Sequence, residues 1–209
     1  EFPEFPRNVL ESLRQPMEDG FIQISRAAGT MVFPAKFILI AASNPCPCGY
    51  LGSEKRSCTC LPGQISRYRK RISGPLLDRI DIHLTVPDVK VEKLTGAMKL
   101  NKKGETSSKI KIRVQKARNR QLKRFKKLKL NLVSNSEMTS RQIKKFCPLS
   151  SECLKILHQA MTKLNLSARA YFRIIKVSRT IADLAAEENI ASSHIAEALQ
   201  YRHRKEENA

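Results

Sequence analysis

The 209-residue chain is 41% apolar and has no run of about eighteen apolar residues, which excludes both a membrane-spanning helix and a wholly disordered chain. Lysine and arginine outnumber aspartate and glutamate by 39 to 19, a net charge of +20 that favours polyanionic partners, nucleic acid above all. Six cysteines are too few for a disulfide scaffold, and the four gathered between Cys46 and Cys60 favour metal binding in a reducing compartment, so a cytoplasmic protein is expected.

The chain opens on Glu1 rather than Met, and EFPEFPR has neither the basic start nor the apolar centre of a signal peptide, which suggests a fragment of a longer protein. Residues 7–18 place Val9, Leu10, Leu13 and Met17 on one helical face, with Pro16 bending the last turn and Asp19-Gly20 ending it. FIQISRAAGTMVF alternates apolar and polar residues around AAGT and predicts a β-hairpin from Ile22 to Phe33 with Gly29 in the turn. Phe37 to Ala42 predicts a buried strand, which runs into the cysteine loop NPCPCGYLGSEKRSCTC. A helix over Pro62–Ile72, the breaker Ser73-Gly74-Pro75 and a strand over Arg79–Val86 follow.

Beyond Pro87 the pattern is helical. Residues 88–108 read as a linker and 109–209 as an all-α region. Between Lys99 and Lys129 fourteen basic residues stand against the single Glu105, on a helix whose Ile110, Val114, Ala117, Phe125 and Leu128 lie near one face. Thr139 with Gln142 forms a capping box, and Ser150 and Ser167 are caps of the next two helices. The helix after Ser167 carries a stripe of Tyr171, Ile174, Ile175, Ile181, Ala182 and Ala185, and a last helix spans Ser193–His203. The four histidines show no ligand spacing, and Cys147 and Cys153 read as small buried apolar residues.

Four segments in this order, EFPEFPRNVLESLRQPMEDG, ISRAAGTMVFPAKFILIAASNPCPCGY, SGPLLDRIDIHLTVP and LSARAYFRIIKVSRTIADLA, resemble the AAA+ ATPases of the magnesium-chelatase-like group, most closely the ComM/YifB family. The resemblance implies an α/β fold, with residues 1–87 forming the C-terminal half of a P-loop AAA+ core, its β-hairpin before the first sensor, and residues 109–209 a helical lid. It also implies ATP and Mg2+ as cofactors, a hexameric ring as the homo-oligomer, and DNA as the partner. The phosphate-binding loop GxxxxGK[ST] occurs nowhere in these residues, so tight nucleotide binding by the chain alone is not expected.

By the same resemblance Glu1 is the carboxylate that polarises the attacking water, the residue that follows a missing Asp. Asn44 is the first sensor of the γ-phosphate, at a strand end where open α/β sheets bind ligands. Arg79 is the arginine finger that reaches a neighbouring subunit's ATP, and Arg169 the second sensor in the lid. Arg26 at the hairpin tip would face a central pore and contact DNA phosphates, with Lys116, Arg120 and Lys123 of the basic helix adding charge. From the residues alone the plainer readings stay open: a polar terminus for Glu1, a turn residue for Asn44, an ion pair with Asp78 or Asp81 for Arg79, an ordinary arginine on an exposed hairpin for Arg26, and a helix-surface arginine for Arg169.

Cys46, Cys48, Cys58 and Cys60 could offer zinc four thiolates in a closed structural site, the alternative being free thiols in a surface loop. Three functions follow: an ATP-driven ring motor that moves along DNA in branch migration during recombination of incoming DNA, a magnesium-chelatase-type subunit that remodels a partner, and a non-catalytic zinc-dependent DNA-binding module.

Overall fold

A computed structural model describes residues 1–87 and 104–202. Among these residues the chain forms two compact units, residues 1–80 with 85–87 and residues 81–84 with 104–202. Most of the linker expected at 88–108, and His203, lie outside the described residues.

In the first unit a short turn, Phe2–Glu4, leads into α1 (Arg7–Ser12) and α2 (Arg14–Asp19). The single helix expected over 7–18 is thus two helices meeting at Leu13, because Pro16 has no N–H to offer the carbonyl of Ser12 and its ring crowds that turn. Gly20 closes α2 in the left-handed region, φ 71°, where a side chain would be strained.

The hairpin pairs β1 (Phe21–Arg26) with β2 (Gly29–Pro34), Ile22 opposite Phe33 and Arg26 opposite Gly29, with Ala27 and Ala28 at the tip. It carries one more residue on each strand than the alternation suggested. Further on come α3 (Pro62–Arg69), three residues shorter than expected, and α4 (Gly74–Leu77), which Ser73 caps by accepting from the Leu76 N–H.

Neither of the other two expected strands forms: Phe37–Ala42 and Arg79–Val86 carry no sheet pairing among the described residues. An extended segment becomes a strand only when a neighbour takes its backbone donors and acceptors. Here the Ala42 carbonyl accepts from the backbone nitrogens of Glu1 and Phe2, at 3.0 and 2.8 Å, and no second strand lies alongside. The burial expected for Phe37–Ala42 fails for the same reason. Leu39 packs on the small core of Phe2, Leu10 and Leu76, while Ile38 and Ile40 are 87% and 91% exposed. The period-two alternation survives without the layer that would cover its second face.

The second unit is helical: α5 (Ser107–Lys127), α6 (Ser140–Phe146), α7 (Ser151–Lys163), α8 (Ala168–Ala185) and α9 (Ser192–Gln200). All the expected caps form. Thr139 and Gln142 exchange bonds with each other's backbone N–H, and Ser150 and Ser167 accept from Cys153 and Ala170. α8 is the central helix, with α5, α6 and α9 packed on it. Its Ile174, Ile175 and Ala182 are buried as the stripe predicted, Tyr171 and Ile181 are half-buried, and Ala185 is exposed at the helix end.

On α5 the stripe needs a larger correction. Ala117, Gln121 and Phe125 face the core, whereas Ile110 and Val114, on the same helical face, are exposed because no described element reaches the first turns of this helix.

Candidate functional site

The residues expected to surround a nucleotide fall in both units. In the first, the terminal nitrogen of Glu1 donates to the Ala42 carbonyl, which sets Glu1 beside the segment that reaches Asn44 two residues later. Both residues are exposed. Buried Tyr68 of α3 lies against the Asn44 backbone. Desolvation and the Glu4 carboxylate raise the Tyr68 hydroxyl's pKa, and contact with that backbone only partly offsets them.

Arg79 follows α4. Its guanidinium Nη1 donates to the Pro75 carbonyl at 2.8 Å, and Nε lies 3.1 Å from the Glu18 carboxylate, with 12% of the side chain exposed. The ion-pair partner is therefore on α2 rather than the neighbouring Asp78 or Asp81; the Asp81 carboxylate accepts instead from Arg173, within the second unit. Sequence spacing could not show this, since Glu18 lies sixty-one positions away along the chain. Arg169 is the second residue of α8 and is exposed there, and Arg26 is exposed at the tip of the hairpin.

The four loop cysteines converge. Their Sγ atoms all lie within 4.8 Å of one another, with Cys46 to Cys48, Cys48 to Cys58 and Cys46 to Cys58 at 3.3, 3.5 and 3.7 Å. Tetrahedral zinc with Zn–S bonds of about 2.3 Å needs sulfurs about 3.8 Å apart, so the set fits a closed four-thiolate site after shifts of no more than about 1 Å. Gly49 and Gly52, at φ 83° and 81°, supply the left-handed turns that fold the loop back.

The electrostatics single out one sulfur of this cluster. Backbone amides of Tyr50 and Thr59 donate to Cys48 and bring its thiol down to about 5. At Cys58 the Cys60 amide pulls the other way, but burial and the neighbouring sulfurs push that thiol up to about 12. One thiolate is thus held ready, and a metal would have to displace the remaining protons.

On α5 the cations divide by role. Arg120 donates to the Asp183 carbonyl at 2.9 Å, and Arg124 grips the Asp183 carboxylate with both guanidinium nitrogens, at 2.8 and 2.7 Å. Lys116 and Lys123 point away from the face that carries Ala117, Gln121 and Phe125 and are exposed. Of the three candidate DNA contacts on this helix, Arg120 is the one engaged inside the fold.

Asp183 centres a buried network that the sequence reading missed. Arg179, at i−4 on α8, lies 3.1 Å from its carboxylate and donates to the carbonyls of Glu187 and Glu188, and Asn135 donates to both Asp183 and Thr180. Burial lowers the Arg179 pKa, and the neighbouring Asp183 acts in the opposite direction. A signal was present: Arg179 and Asp183 sit at helical spacing on the same apolar face as Ile175 and Ala182, where unpaired charges are not tolerated.

Among the described residues no helix is long and apolar enough to cross a membrane. Two family profiles match in succession, "Magnesium chelatase, subunit ChlI" over residues 1–94 and "Magnesium chelatase, subunit ChlI C-terminal" over residues 104–202. The chain is 45% identical over 203 residues to competence protein ComM of Haemophilus influenzae and 42% identical over 206 residues to YifB of Escherichia coli. An uncharacterized protein of Mycobacterium tuberculosis is 31% identical over 202 residues. Each alignment covers 97% of this chain and 38% of the relative, so the chain spans less than half the length of these relatives. With a mixed helix and strand unit followed by a helical one, both matched in order, the chain belongs to the magnesium-chelatase-like ComM/YifB family.

Proposed function

We propose that the chain is part of an ATP-driven ring motor that acts on DNA, a hexamer in the cytoplasm that drives branch migration when incoming DNA recombines. Residues 1–87 contribute half of the ATPase core and residues 109–209 the lid. The observation that carries the reading is the backbone bond that holds Glu1 against Ala42, two residues before Asn44, in a chain with the family's motifs in order. The name of the Haemophilus relative, a competence protein, supports DNA as the substrate.

ATP with Mg2+, when bound, supplies the phosphoryl group to be transferred, and groups outside these residues would hold most of it. The Glu1 carboxylate accepts a proton from the attacking water, the Asn44 amide orients that water and a phosphate oxygen, and Arg169 reports nucleotide state to the lid. Arg79 neutralises charge at the neighbouring subunit's site, and for that it must exchange Glu18 for a phosphate.

DNA is held through its backbone by Arg26 at the hairpin tip and by the solvent face of α5. Lys109, Lys116 and Lys123 recur there every seven residues, about 10.5 Å apart along the axis. Arg120 serves this face indirectly, by fixing α5 to α8.

Zinc, bound by Cys46, Cys48, Cys58 and Cys60, would fasten the loop that leaves Asn44 and take no part in the chemistry. Elemental analysis should find about one zinc per chain in chelator-free protein, and Cys58→Ser should abolish it; metal-free wild type would remove this assignment.

The deciding measurement is steady-state ATP hydrolysis by the full-length protein with and without DNA. DNA should stimulate it, and Arg79→Ala should lower kcat by about a thousandfold while assembly persists. A DNA-binding assembly without ATPase activity would defeat the motor. The second reading, a chelatase-type subunit, is favoured by the description of the matching family, and it predicts hydrolysis indifferent to DNA.

A further inference from the structure

Between the turn that opens α1 and the C-terminal end of α3 lies a cleft of about 430 Å³, within the roughly 300–1,000 Å³ range of small-ligand sites. One wall carries Glu4, Phe5 and Arg7, the other Arg67, Lys70 and Arg71. Arg71 clamps the walls together by donating to the Glu4 carboxylate at 2.5 Å and to the Pro3 carbonyl at 3.3 Å. That clamp uses one positive and one negative charge and leaves Arg7, Arg67 and Lys70 around the opening. No side-chain partner engages Arg67 or Lys70 among the described residues.

Phe5 stands at the same cleft, 56% exposed, and belongs to neither of the two hydrophobic cores. The neighbouring Phe2, three positions earlier, is by contrast buried in the small core of the first unit. Phe5 thus presents more than half of a large aromatic ring at a cleft lined by cations, the pairing of stacking face and positive charge that single-stranded nucleic acid uses.

We infer that this cleft binds a nucleotide unit of single-stranded nucleic acid, the base stacked on Phe5 and its flanking phosphates held by Arg7, Arg67 and Lys70. Stacking needs an unpaired base, which selects single strands over duplex, and flexible cations beside the ring suit the backbone on either side without reading sequence. The site lies outside the hairpin and the basic helix and adds to them a place where one strand is gripped apart from its complement. It rests on the proposal that the protein acts on DNA.

The chain contains no tryptophan, so Phe5→Trp creates a single fluorescent reporter at the cleft. Titrating the full chain carrying Phe5→Trp with a twelve-residue oligothymidylate should quench that emission. A duplex of the same length should bind with little quenching. Adding Arg67→Ala and Lys70→Ala should weaken oligothymidylate binding by about fivefold or more, and Phe5→Ala in the parent chain should do the same, as loss of one stacked base does. Circular dichroism melts unchanged from wild type would exclude unfolding as the cause.

Oligothymidylate bound without quenching, or with affinity unaffected by Phe5→Ala, would overturn the cleft and leave the broader DNA reading standing. Failure of the wild-type chain to bind any DNA, single or double, would overturn both. Equal quenching by duplex would show plain electrostatic attraction and would also overturn the stacking site.

Discussion

In the second unit eleven apolar residues contributed by helices α5 to α9 and the connections between them close into one buried cluster, and the buried charge of Asp183 is paired with Arg124 and Arg179. Among the described residues of the first unit only Phe2, Leu10 and Leu76 form a buried cluster, while Ile38, Ile40 and Val86 stand 85% exposed or more. The two halves are similar in apolar content but differ in how it is used. A helix satisfies its own backbone, so helices need only one another to bury their stripes, whereas an extended segment needs a neighbouring strand before it can bury anything. The first unit is therefore the one whose apolar surface invites further chain, and aggregation when it is left uncovered.

The contrast can be broken or sharpened by stability measurements on the chain, with hydrogen exchange assigning each loss to a unit. Asp183→Ala should have the largest effect, about 3–5 kcal/mol, because it leaves Arg124 and Arg179 partly or wholly buried without their carboxylate. Protection should collapse across α5 and α8 and persist in the hairpin. Leu157→Ala, which empties a fully buried position on α7, should cost about 2–5 kcal/mol in the same unit. Thr139→Ala removes the capping box of α6 and should cost about 1 kcal/mol. Ile40→Ser should change stability by no more than about 0.5 kcal/mol and raise solubility. A cost for Ile40→Ser comparable to that of Leu157→Ala would show that the first unit buries this segment after all, and the contrast would fail.

What could be read from the residues follows the same division. Ser150, Ser167 and the pair Thr139 with Gln142 were legible because a cap is a local event, decided within four residues. The hairpin was legible through its alternation, and the cysteine set through its composition. The strands at Phe37–Ala42 and Arg79–Val86 were read from apolar runs, yet strand formation depends on partners far along the chain or outside it. Glu18 as the counter-ion of Arg79 and the convergence on Asp183 are likewise tertiary facts, invisible to spacing except where Arg179 and Asp183 share a helix face. Of the proposed ATPase residues, Glu1 is held by its backbone to Ala42, two residues before Asn44, while Arg79 pairs with Glu18 and Arg169 opens α8 in the other unit.

Asp183 also has a meaning on an evolutionary timescale. Arg124, Asn135 and Arg179 all direct nitrogens at this one carboxylate, so no member of the group can change alone without stranding the others. Drift at these four positions should proceed in blocks, all kept or all exchanged for apolar residues together, while Lys116 and Lys123 two turns apart on the open face of α5 remain free to vary one at a time.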